Sequence, residues 1–506
     1  MYILLIILAM SLLQCQSSAD IQTFTKIRSA VKAGQFYSDD AQELQETVDL
    51  FLAQARAPLS STAPAAIIVP HAGYIYSGQI AADAYNQARG HKYDLIILMG
   101  PNHTISGFEG ISVFAGKGYQ TPLGLCEIDK EGTRALISAD PQIVFEPRVH
   151  EQEHSLEVQI PFIQTLFPDT PLIAAVIGTP RAELCHHFGE NIKTLFAEKK
   201  ILLIASTDLS HYPEYSVAME MDSQTLSAIL TLDETTFLDV MKGPAEPVPS
   251  LSTLACGKGP ILTLLAAVPG WGVREGSLVS KANSGDCLLG DPDRVVGYGA
   301  VAFYPHPAPE IYEPEIQTDT IVENLTDSQR MALLQIAHQT IDQYLRTGTT
   351  PLIRDGDPEL WQKQGAFVTL KKHGQLRGCI GHMSEDLPLC RVVGRMALQA
   401  AFNDRRFDPL NWDEWPDIEL EVSVLTPFKP IEKPQDFIVG RDGIIIRNGG
   451  RSAVYLPQVA TEQGWDREQT LQHLCQKAGL SQRAWMDENS QLFVFQADVF
   501  TEHDLK

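Results

Sequence analysis

The sequence lacks the glycine-rich and serine motifs that identify most nucleotide-binding proteins and serine hydrolases. It contains no G-x-G-x-x-G after a predicted strand, no phosphate-binding loop and no G-x-S-x-G elbow. Such motifs bring backbone N–H groups to a pyrophosphate, or expose a nucleophilic serine on a sharp turn. Their absence predicts a protein without a nucleotide cofactor and without serine-hydrolase chemistry.

Clustered positive charge is also missing. The 39 lysines and arginines are outnumbered by 63 aspartates and glutamates, which gives a formal net charge of −24. An acidic surface repels nucleic acids and anionic membranes, and no basic run offsets the charge locally. We therefore expect the chain not to bind nucleic acid.

Paired cysteines are absent as well. The eight cysteines are scattered, without a C-x-x-C pair or a regular spacing. This pattern argues against a disulfide framework and against a zinc ribbon. It predicts that most of the thiols are reduced and buried.

Residues 1–20 differ in composition from the rest of the chain. The apolar run from Ile3 to Leu13 has the length of a signal peptide and is too short for a typical membrane span. Cys15 follows Leu-Leu-Gln, which resembles a bacterial lipoprotein box, although no Lys or Arg precedes the run. The segment predicts an export signal or a lipid anchor, and without that role the chain would be cytoplasmic. No transmembrane segment is predicted beyond it.

The remaining chain is long enough for two domains with separate hydrophobic cores. Of the 506 residues, 44% are hydrophobic and 20% are charged, as in ordinary globular proteins. A stretch rich in Pro, Glu and Thr at 306–326 indicates a linker between domains at 26–305 and 327–506. The predicted fold class is α/β, with a central sheet flanked by helices in the first domain and a smaller α+β second domain with hairpins.

Four short apolar runs in the first domain are typical of parallel strands buried on both faces, at 65–69, 95–99, 172–177 and 201–205. Helices are predicted over 77–89, with Ser77 as the N-cap, and over 219–232 and 259–267. Further strands are predicted at 277–281 and 295–304. In the second domain, Thr326 caps a predicted helix, residues 418–424 alternate as a strand, and hairpins are predicted around Lys-His-Gly and Asn448-Gly449-Gly450.

Three of the predicted strands run directly into polar residues. The first ends at His71, the second at His103, and the fourth at Asp208 and His211. Because the carboxyl ends of parallel strands share one edge of a sheet, we expect these side chains to converge there. Asp208 and His211 would then be an acid/base pair, a further ligand, or groups that orient the ligands.

Cys256 adds a soft ligand to this predicted site. It lies just before an apolar helix, where the helix dipole favours a thiolate. Two imidazoles and a thiolate suit Fe(II), Cu or Zn better than Mg or Ca. The sequence therefore predicts a metal site formed by His71, His103 and Cys256.

The segment EHSLEVQIPF at 153–162 offers two more candidate residues and a competing motif. His154 and Glu157 would share one helical face and reach the site as catalytic groups, or they would form a helix cap and a salt bridge. His150-Glu151-x-x-His154 matches the H-E-x-x-H expression of zinc proteases. That motif needs a helix with an apolar back and a third ligand, and no third ligand stands out downstream.

Six segments, in order, resemble the Memo family: AGQFY at 33–37, PHAGYIYSG at 70–78, GPNH at 100–103, EHSLEVQIPF at 153–162, STDLSH at 206–211 and the ACG around Cys256. The resemblance covers about residues 26–305. It implies a fold similar to class III extradiol dioxygenases, which hold non-haem Fe(II) with two histidines and a glutamate. Carried over, it implies that His71, His103 and Cys256 bind iron or copper, with the cysteine in place of the carboxylate and His211 and Asp208 beside them.

Four segments of the second domain resemble an AMMECR-type domain, at 366–382, 400–410, 418–425 and 455–465. The resemblance covers about residues 327–506. Microbial chains that join or neighbour these two domains, as in AmmeMemoRadiSam systems, are often associated with a radical-SAM protein. The resemblance therefore implies such a partner, but it implies no established activity.

The segment LRGCIG carries the candidate site of the second domain. Arg377 and Cys379 lie on a predicted hairpin strand, and the adjacent Gly378 and Gly381 would let a ligand approach the backbone. A polar rim is predicted from Asn403, Asp404, Arg405 and Arg406. The competing interpretation is a buried strand cysteine beside an ordinary loop network.

Three functional hypotheses follow. The first is a metal-dependent, oxidoreductase-like or dioxygenase-like protein that acts on an unidentified small molecule with a radical-SAM partner. The second is a non-catalytic metal-binding module that serves assembly with a redox partner. The third is a zinc metalloprotease that uses His150, Glu151 and His154.

Overall fold

The computed structural model describes residues 24–178, 181–305, 325–354, 357–487 and 489–504. The predicted signal-like segment at 1–20 and most of the predicted linker lie outside these residues. The chain divides into two compact units. The first extends to Glu313 and includes Thr347–Leu352, and the second comprises Pro314–Arg346 and Ile353–Lys506.

The first unit alternates strands and helices. Its strands are β1 (Ile27–Arg28), β2 (Ala66–Val69), β3 (Leu95–Pro101), β4 (Ile111–Val113), β5 (Gly118–Thr121), β6 (Gly124–Glu127), β7 (Ile143–Val144), β8 (Leu172–Ile177), β9 (Ile201–Ser206), β10 (Ser277–Asn283) and β11 (Gly297–Phe303). Its helices are α1 (Ala41–Ala53), α2 (Tyr74–Asn86), α3 (Lys130–Ala139), α4 (Pro147–Glu151), α5 (Ile160–Leu166), α6 (Ala182–Leu195), α7 (Tyr215–Leu230), α8 (Glu234–Val240) and α9 (Lys258–Ala267).

A central sheet of eight strands, in the order β10-β11-β2-β9-β3-β8-β4-β7, organises this unit. Strands β2, β9, β3 and β8 are mutually parallel, so their carboxyl ends share one edge. All four are buried along their length, because successive side chains enter cores on opposite faces: Ile67 packs into one core and Ile68 into the other. The α/β fold and the four predicted strands are confirmed.

Helix α2 begins earlier than the sequence predicted. Gly73 is its N-cap residue, and the Tyr74 N–H donates to the Phe36 carbonyl oxygen at 2.7 Å. Ser77 therefore lies inside the helix, where its hydroxyl donates to the Ala72 carbonyl oxygen, and its predicted role as the cap is wrong. Helix α7 likewise starts at Tyr215 rather than at residue 219.

The second unit is built from two antiparallel four-stranded sheets, which confirms the predicted α+β class. One sheet has the order β13-β12-β14-β19 and the other β15-β18-β16-β17. The strands are β12 (Ala366–Lys372), β13 (Gln375–His382), β14 (Ile418–Leu425), β15 (Lys429–Ile431), β16 (Gly443–Asn448), β17 (Arg451–Tyr455), β18 (Gln491–Phe495) and β19 (Ala497–Thr501). The helices are α10 (Asp327–Thr347), α11 (Leu389–Phe402), α12 (Pro457–Glu462) and α13 (Arg467–Lys477).

Both predicted hairpins of the second unit are present. Strands β12 and β13 are joined through His373 and Gly374, and β16 and β17 through Gly449 and Gly450. All four turn residues have positive φ, as tight hairpin turns require. Within the described ranges, no helix combines the length and the apolar character needed to span a bilayer.

Candidate functional site

His71, His103 and Cys256 meet at the carboxyl edge of the central sheet. Each offers one ligand atom, and these atoms all lie within 4.8 Å of one another. His71 follows β2, His103 follows β3, and Cys256 comes two residues before α9. The structure thus brings together three side chains that are remote in sequence, at the edge where parallel strands end.

The His71 ring has its tautomer fixed by its surroundings. Its Nδ1 lies 2.9 Å from the Ser206 hydroxyl, which in turn donates to the Ser155 carbonyl oxygen. Since the Ser206 proton is already used, His71 Nδ1 is the donor and Nε2 keeps its lone pair. Burial, reinforced by the neighbouring His103, holds the pKa of His71 well below its usual value. A neutral imidazole therefore presents Nε2 to Cys256 Sγ, 3.2 Å away.

His103 is held by a carboxylate that the sequence analysis did not single out. Its Nδ1 lies 2.9 Å from Glu153 Oε1, and its backbone N–H donates to Glu153 Oε2 at 2.6 Å. Burial alone would raise the pKa of Glu153, but the hydrogen bond and charge of His103 outweigh it and hold that pKa well below its usual range. The ionised carboxylate accepts Nδ1–H, which leaves Nε2 of His103 free. Glu153 directly precedes His154 in the EHSLEVQIPF segment, and that adjacency was the available signal.

Cys256 accepts a hydrogen bond from the Asp208 backbone N–H, with N···Sγ at 3.2 Å. Its Sγ also lies 3.9 Å from the Thr207 hydroxyl. Burial, together with the nearby Asp208 carboxylate, raises the pKa of Cys256 above its usual value. Burial therefore opposes the thiolate that the position before α9 was expected to favour.

Asp208 and His211 lie beside these ligands. Asp208 is buried, its Oδ1 accepts the His71 backbone N–H at 2.7 Å, and its Oδ2 lies 4.0 Å from His71 Nε2. Burial raises the pKa of Asp208. His211 Nδ1 lies 2.9 Å from the Leu209 carbonyl oxygen, so Nδ1 carries the proton and Nε2 is available.

His154 lies against both predicted histidine ligands. Its ring stacks on His103 with centroids 4.6 Å apart and meets His71 edge-on at 5.5 Å. With His103 and Glu153 it forms a second group of ligand atoms within 4.8 Å of one another. Burial and the neighbouring His71 lower the pKa of His154 to about 3, so this ring is neutral.

Glu157 faces a different environment. It is 1% exposed, and its carboxylate pairs with Arg28 and accepts hydrogen bonds from the Tyr37 hydroxyl at 2.7 Å and from the backbone N–H of Lys32 at 2.8 Å. These contacts tie residues 28–37 to the turn that follows His154. Glu157 therefore forms the salt bridge that the alternative interpretation predicted, with Arg28. It belongs to neither group of ligand atoms.

The zinc-protease interpretation is wrong. His150 is buried, with Nε2 2.9 Å from the Ser112 hydroxyl and Nδ1 2.9 Å from the Tyr119 hydroxyl, so both ring nitrogens are occupied. Helix α4 ends at Glu151, whose carboxylate is exposed and pairs with Lys26. The two histidines of H-E-x-x-H therefore do not lie on one helix, and the predicted ligand pair does not form.

The candidate residues of the second domain are largely paired with one another. Arg377 donates to both oxygens of Glu414, at 3.1 and 2.9 Å. Asp404 accepts two hydrogen bonds from the Arg406 guanidinium and one each from the backbone N–H groups of Cys379 and Arg406, which together hold the pKa of Asp404 well below its usual range. These contacts form the ordinary loop network of the competing interpretation.

A cavity of about 590 Å³ lies beside this network. Arg377 and Arg405 line it, whereas Cys379 does not. The Cys379 sulfur lies 3.2 Å from the Thr369 hydroxyl. A Cβ at Gly378 would collide with the Ala400 carbonyl oxygen, and one at Gly381 with the Phe367 ring. The two glycines therefore make room for protein atoms rather than for a ligand, which corrects the sequence-based expectation.

Each half of the chain is similar to a different family of known proteins. A family model for Memo-like proteins matches residues 28–302, and an AMMECR1 model matches residues 334–500. A MEMO1 family protein of Nitrosopumilus maritimus is 30% identical over 282 residues, which are 55% of this chain and 99% of that protein. A protein of Thermococcus onnurineus is 43% identical over 181 residues, which are 34% of this chain and 88% of that protein.

A solved structure is also similar to about a third of the chain. The crystal structure of an uncharacterized protein from Pyrococcus horikoshii shares 40% sequence identity, covers 34% of this chain and 89% of its own, and has a TM-score of 0.32. The two relatives named above are archaeal, and a bacterial origin stays a prediction from the lipoprotein-like segment. By the family models and by these identities, the chain belongs to the Memo family and carries an AMMECR1 domain in its second half.

Proposed function

We propose that the first domain binds one redox-active transition-metal ion, iron or copper, through His71, His103 and Cys256, and that the chain is a metal-dependent oxidoreductase-like protein. The observation that carries the proposal is the convergence of two imidazole nitrogens and a sulfur within 4.8 Å. Ligands bound at roughly 2.0–2.3 Å from one ion lie no more than about 4.5 Å apart. The 3.2 Å between His71 Nε2 and Cys256 Sγ already fits, and the third ligand needs only a small adjustment.

The surroundings of the ligands support this assignment. Metal-binding histidines usually donate their second N–H to an oxygen, which fixes the ring and its tautomer. The Ser206 hydroxyl oxygen accepts this hydrogen bond from His71, and Glu153 accepts it from His103. Both rings therefore present Nε2. The Asp208 N–H donates to Cys256 Sγ, as it would to a ligating thiolate. A soft sulfur with two imidazoles favours iron or copper over hard cations.

When bound, the ion would supply a redox centre and a Lewis acid. The residues around the ion would transfer protons and shape the space for a substrate. His211 has an available Nε2 beside Asp208. This nitrogen would accept a proton from a bound substrate or return one to it. His154, neutral and stacked on His103, would limit the space above the ligands. The substrate and a radical-SAM partner remain predictions from the family resemblance.

Metal content tests the proposal directly. After purification without oxygen, the wild type should retain about one equivalent of iron or copper, because folded ligand sets of this kind bind such ions tightly. The triple variant His71→Ala, His103→Ala, Cys256→Ala should retain none. The double variant His186→Ala, His187→Ala removes two exposed imidazoles and should bind like the wild type. Equal trace metal in the wild type and the triple variant would refute the site.

A non-catalytic metal-binding role is the second candidate, and the burial of His71, 1% exposed, favours it. The metal-loaded protein would be mixed with catechol and O₂ and its products analysed. Ring-cleavage products formed by the wild type and absent with His211→Ala would exclude the non-catalytic role. Stoichiometric metal without any product would support it.

A further inference from the structure

The AMMECR1 domain contains a second cavity, of about 410 Å³, which no residue of the LRGCIG segment lines. Its volume is in the range of sites that hold small molecules. The cavity has an apolar lining formed by Met383, Phe428, Ile445, Ala453 and Val454. Two cations, Arg447 and Lys477, and two serines, Ser384 and Ser452, complete the wall. No acidic side chain of the described residues lines it.

The β16–β17 hairpin explains how apolar and cationic groups come to share one face. Ile445 pairs with Val454, and Arg447 pairs with Ser452 in the antiparallel register. Because side chains alternate along a strand, Ile445 and Arg447 lie on the same face. Ile444 and Ile446 point to the opposite face, where Ile446 packs with Leu471 of α13. The hairpin thus packs one face into the core with α13, while on the other face Ile445 packs with Leu425 and Phe495 beside the cavity.

Neither cation of the cavity is neutralised by a described residue. Arg447 lies over the Phe493 ring with its Cζ 4.8 Å from the centroid, and it makes no ion pair within the described part of the chain. Lys477 donates to the Val454 carbonyl oxygen at 2.9 Å and lies over the Tyr455 ring at 4.7 Å. An ammonium has three donors, so at least one stays available. Burial lowers the pKa of Lys477, as expected for a cation that lacks an anionic partner.

We propose that this cavity binds a small amphipathic anion, with an apolar chain or ring against Ile445 and Val454 and a single acidic group between Arg447 and Lys477. The charge pattern carries the inference. Two cations without an ionic partner among the described residues share this cavity with an apolar lining, and no acidic side chain of the described residues lines it. An anion would supply a negative charge to both, and its apolar part would pack against the apolar lining of the cavity. The proposal does not depend on the metal site.

Calorimetric titration of the full-length protein with octanoate tests both features of the ligand. Octanoate should bind, and butyrate should bind much more weakly because it lacks four methylene groups that would leave water. Octanol carries the same chain without the charge and should bind more weakly than octanoate. Octyl phosphate shows whether the cations favour a carboxylate or a phosphate, and tighter binding of either one supports the site.

The matched variants locate the binding. Arg447→Gln with Lys477→Gln should lower the affinity for octanoate about tenfold or more, the usual effect of losing hydrogen bonds to a charged group, and leave octanol binding unchanged. Lys363→Gln removes an exposed lysine of the same domain outside the cavity and should bind like the wild type. The proposal is overturned if neither octanoate nor octyl phosphate binds, or if the double variant binds both as the wild type does. It is also overturned if octanol binds as tightly as octanoate.

Discussion

Glu153 contacts both the predicted ligand His103 and the predicted catalytic residue His154, although it was not singled out from sequence. Its Oε1 lies 2.9 Å from His103 Nδ1 and 3.5 Å from His154 Nδ1, while Oε2 accepts the His103 backbone N–H. The carboxylate also accepts the backbone N–H of Ser155. One buried side chain therefore fixes the ring of a predicted ligand and the start of the next segment.

Replacing this carboxylate should weaken metal binding without removing a ligand. In Glu153→Gln, one oxygen becomes an NH₂ group that faces N–H donors, and the charge that favours a ligating imidazole is lost. We expect the affinity for iron or copper to fall by about 10- to 100-fold, the usual effect of losing such a partner. Anaerobic competition with a chromophoric chelator measures the change.

Glu151→Gln is the control for that experiment, because Glu151 is two residues away, is exposed, and pairs with Lys26 at the surface. Its affinity should equal that of the wild type. If Glu153→Gln also binds like the wild type, Glu153 does not position His103 for a metal.

The different roles of His154 and Glu157 show what residue spacing could not predict. Three positions apart, both fit one helical face, but a turn and a short 3-10 helix over Glu157–Gln159 replace the expected helix start. Glu157 instead forms a salt bridge with Arg28, which lies 129 positions away in the sequence. Nothing in the local pattern encodes a partner at that distance, whereas the strand-end histidines needed only the local rule for parallel sheets.

At the scale of elements, strands were predicted more accurately than helix starts. The buried runs became β2, β3, β8 and β9 within two residues at each end, because burial on both faces imposes a continuous apolar pattern. Helix α2 instead starts where the Phe36 carbonyl accepts the Tyr74 N–H. A cap supplied by a distant carbonyl leaves no signature at the helix itself, so Ser77 was the only visible candidate.

Helices α6 and α9 approach each other at Gly189. A Cβ placed there would lie 2.5 Å from the Thr263 carbonyl oxygen and 2.8 Å from Ala266 Cβ, both in α9. Ala normally stabilises a helix interior by about 0.5–1 kcal/mol relative to Gly. The crowding reverses that sign here, because backbone and methyl atoms of a packed helix cannot move aside cheaply.

We therefore expect Gly189→Ala to lower the free energy of unfolding by roughly 1–3 kcal/mol, the usual cost of overpacking. Urea denaturation of the full chain measures it. Glu190→Ala, one position along the same helix, is the control and should change stability by less than about 0.5 kcal/mol. A more stable Gly189→Ala would mean that α6 and α9 are not packed at this distance.

At the scale of the whole molecule, two binding sites are proposed in units with separate cores. The cores on both faces of the central sheet belong to the first unit, and the core of Ile446, Leu471 and Leu474 belongs to the second. The proposed ion and the proposed anion differ in charge, hardness and polarity. Each should therefore act on the stability of one unit only.

Calorimetry of the full-length protein can separate the two. A ligand at 100 times its Kd stabilises the unit that binds it by about 2.7 kcal/mol. Anaerobic iron or copper should raise the midpoint of one unfolding transition, and octanoate should raise the midpoint of another. The His71, His103, Cys256 triple variant should lose only the metal response, and the Arg447, Lys477 double variant only the octanoate response. If one variant abolishes both responses, or if the metal raises both midpoints equally, the two sites do not act on separate units, because linkage would then extend across the whole chain.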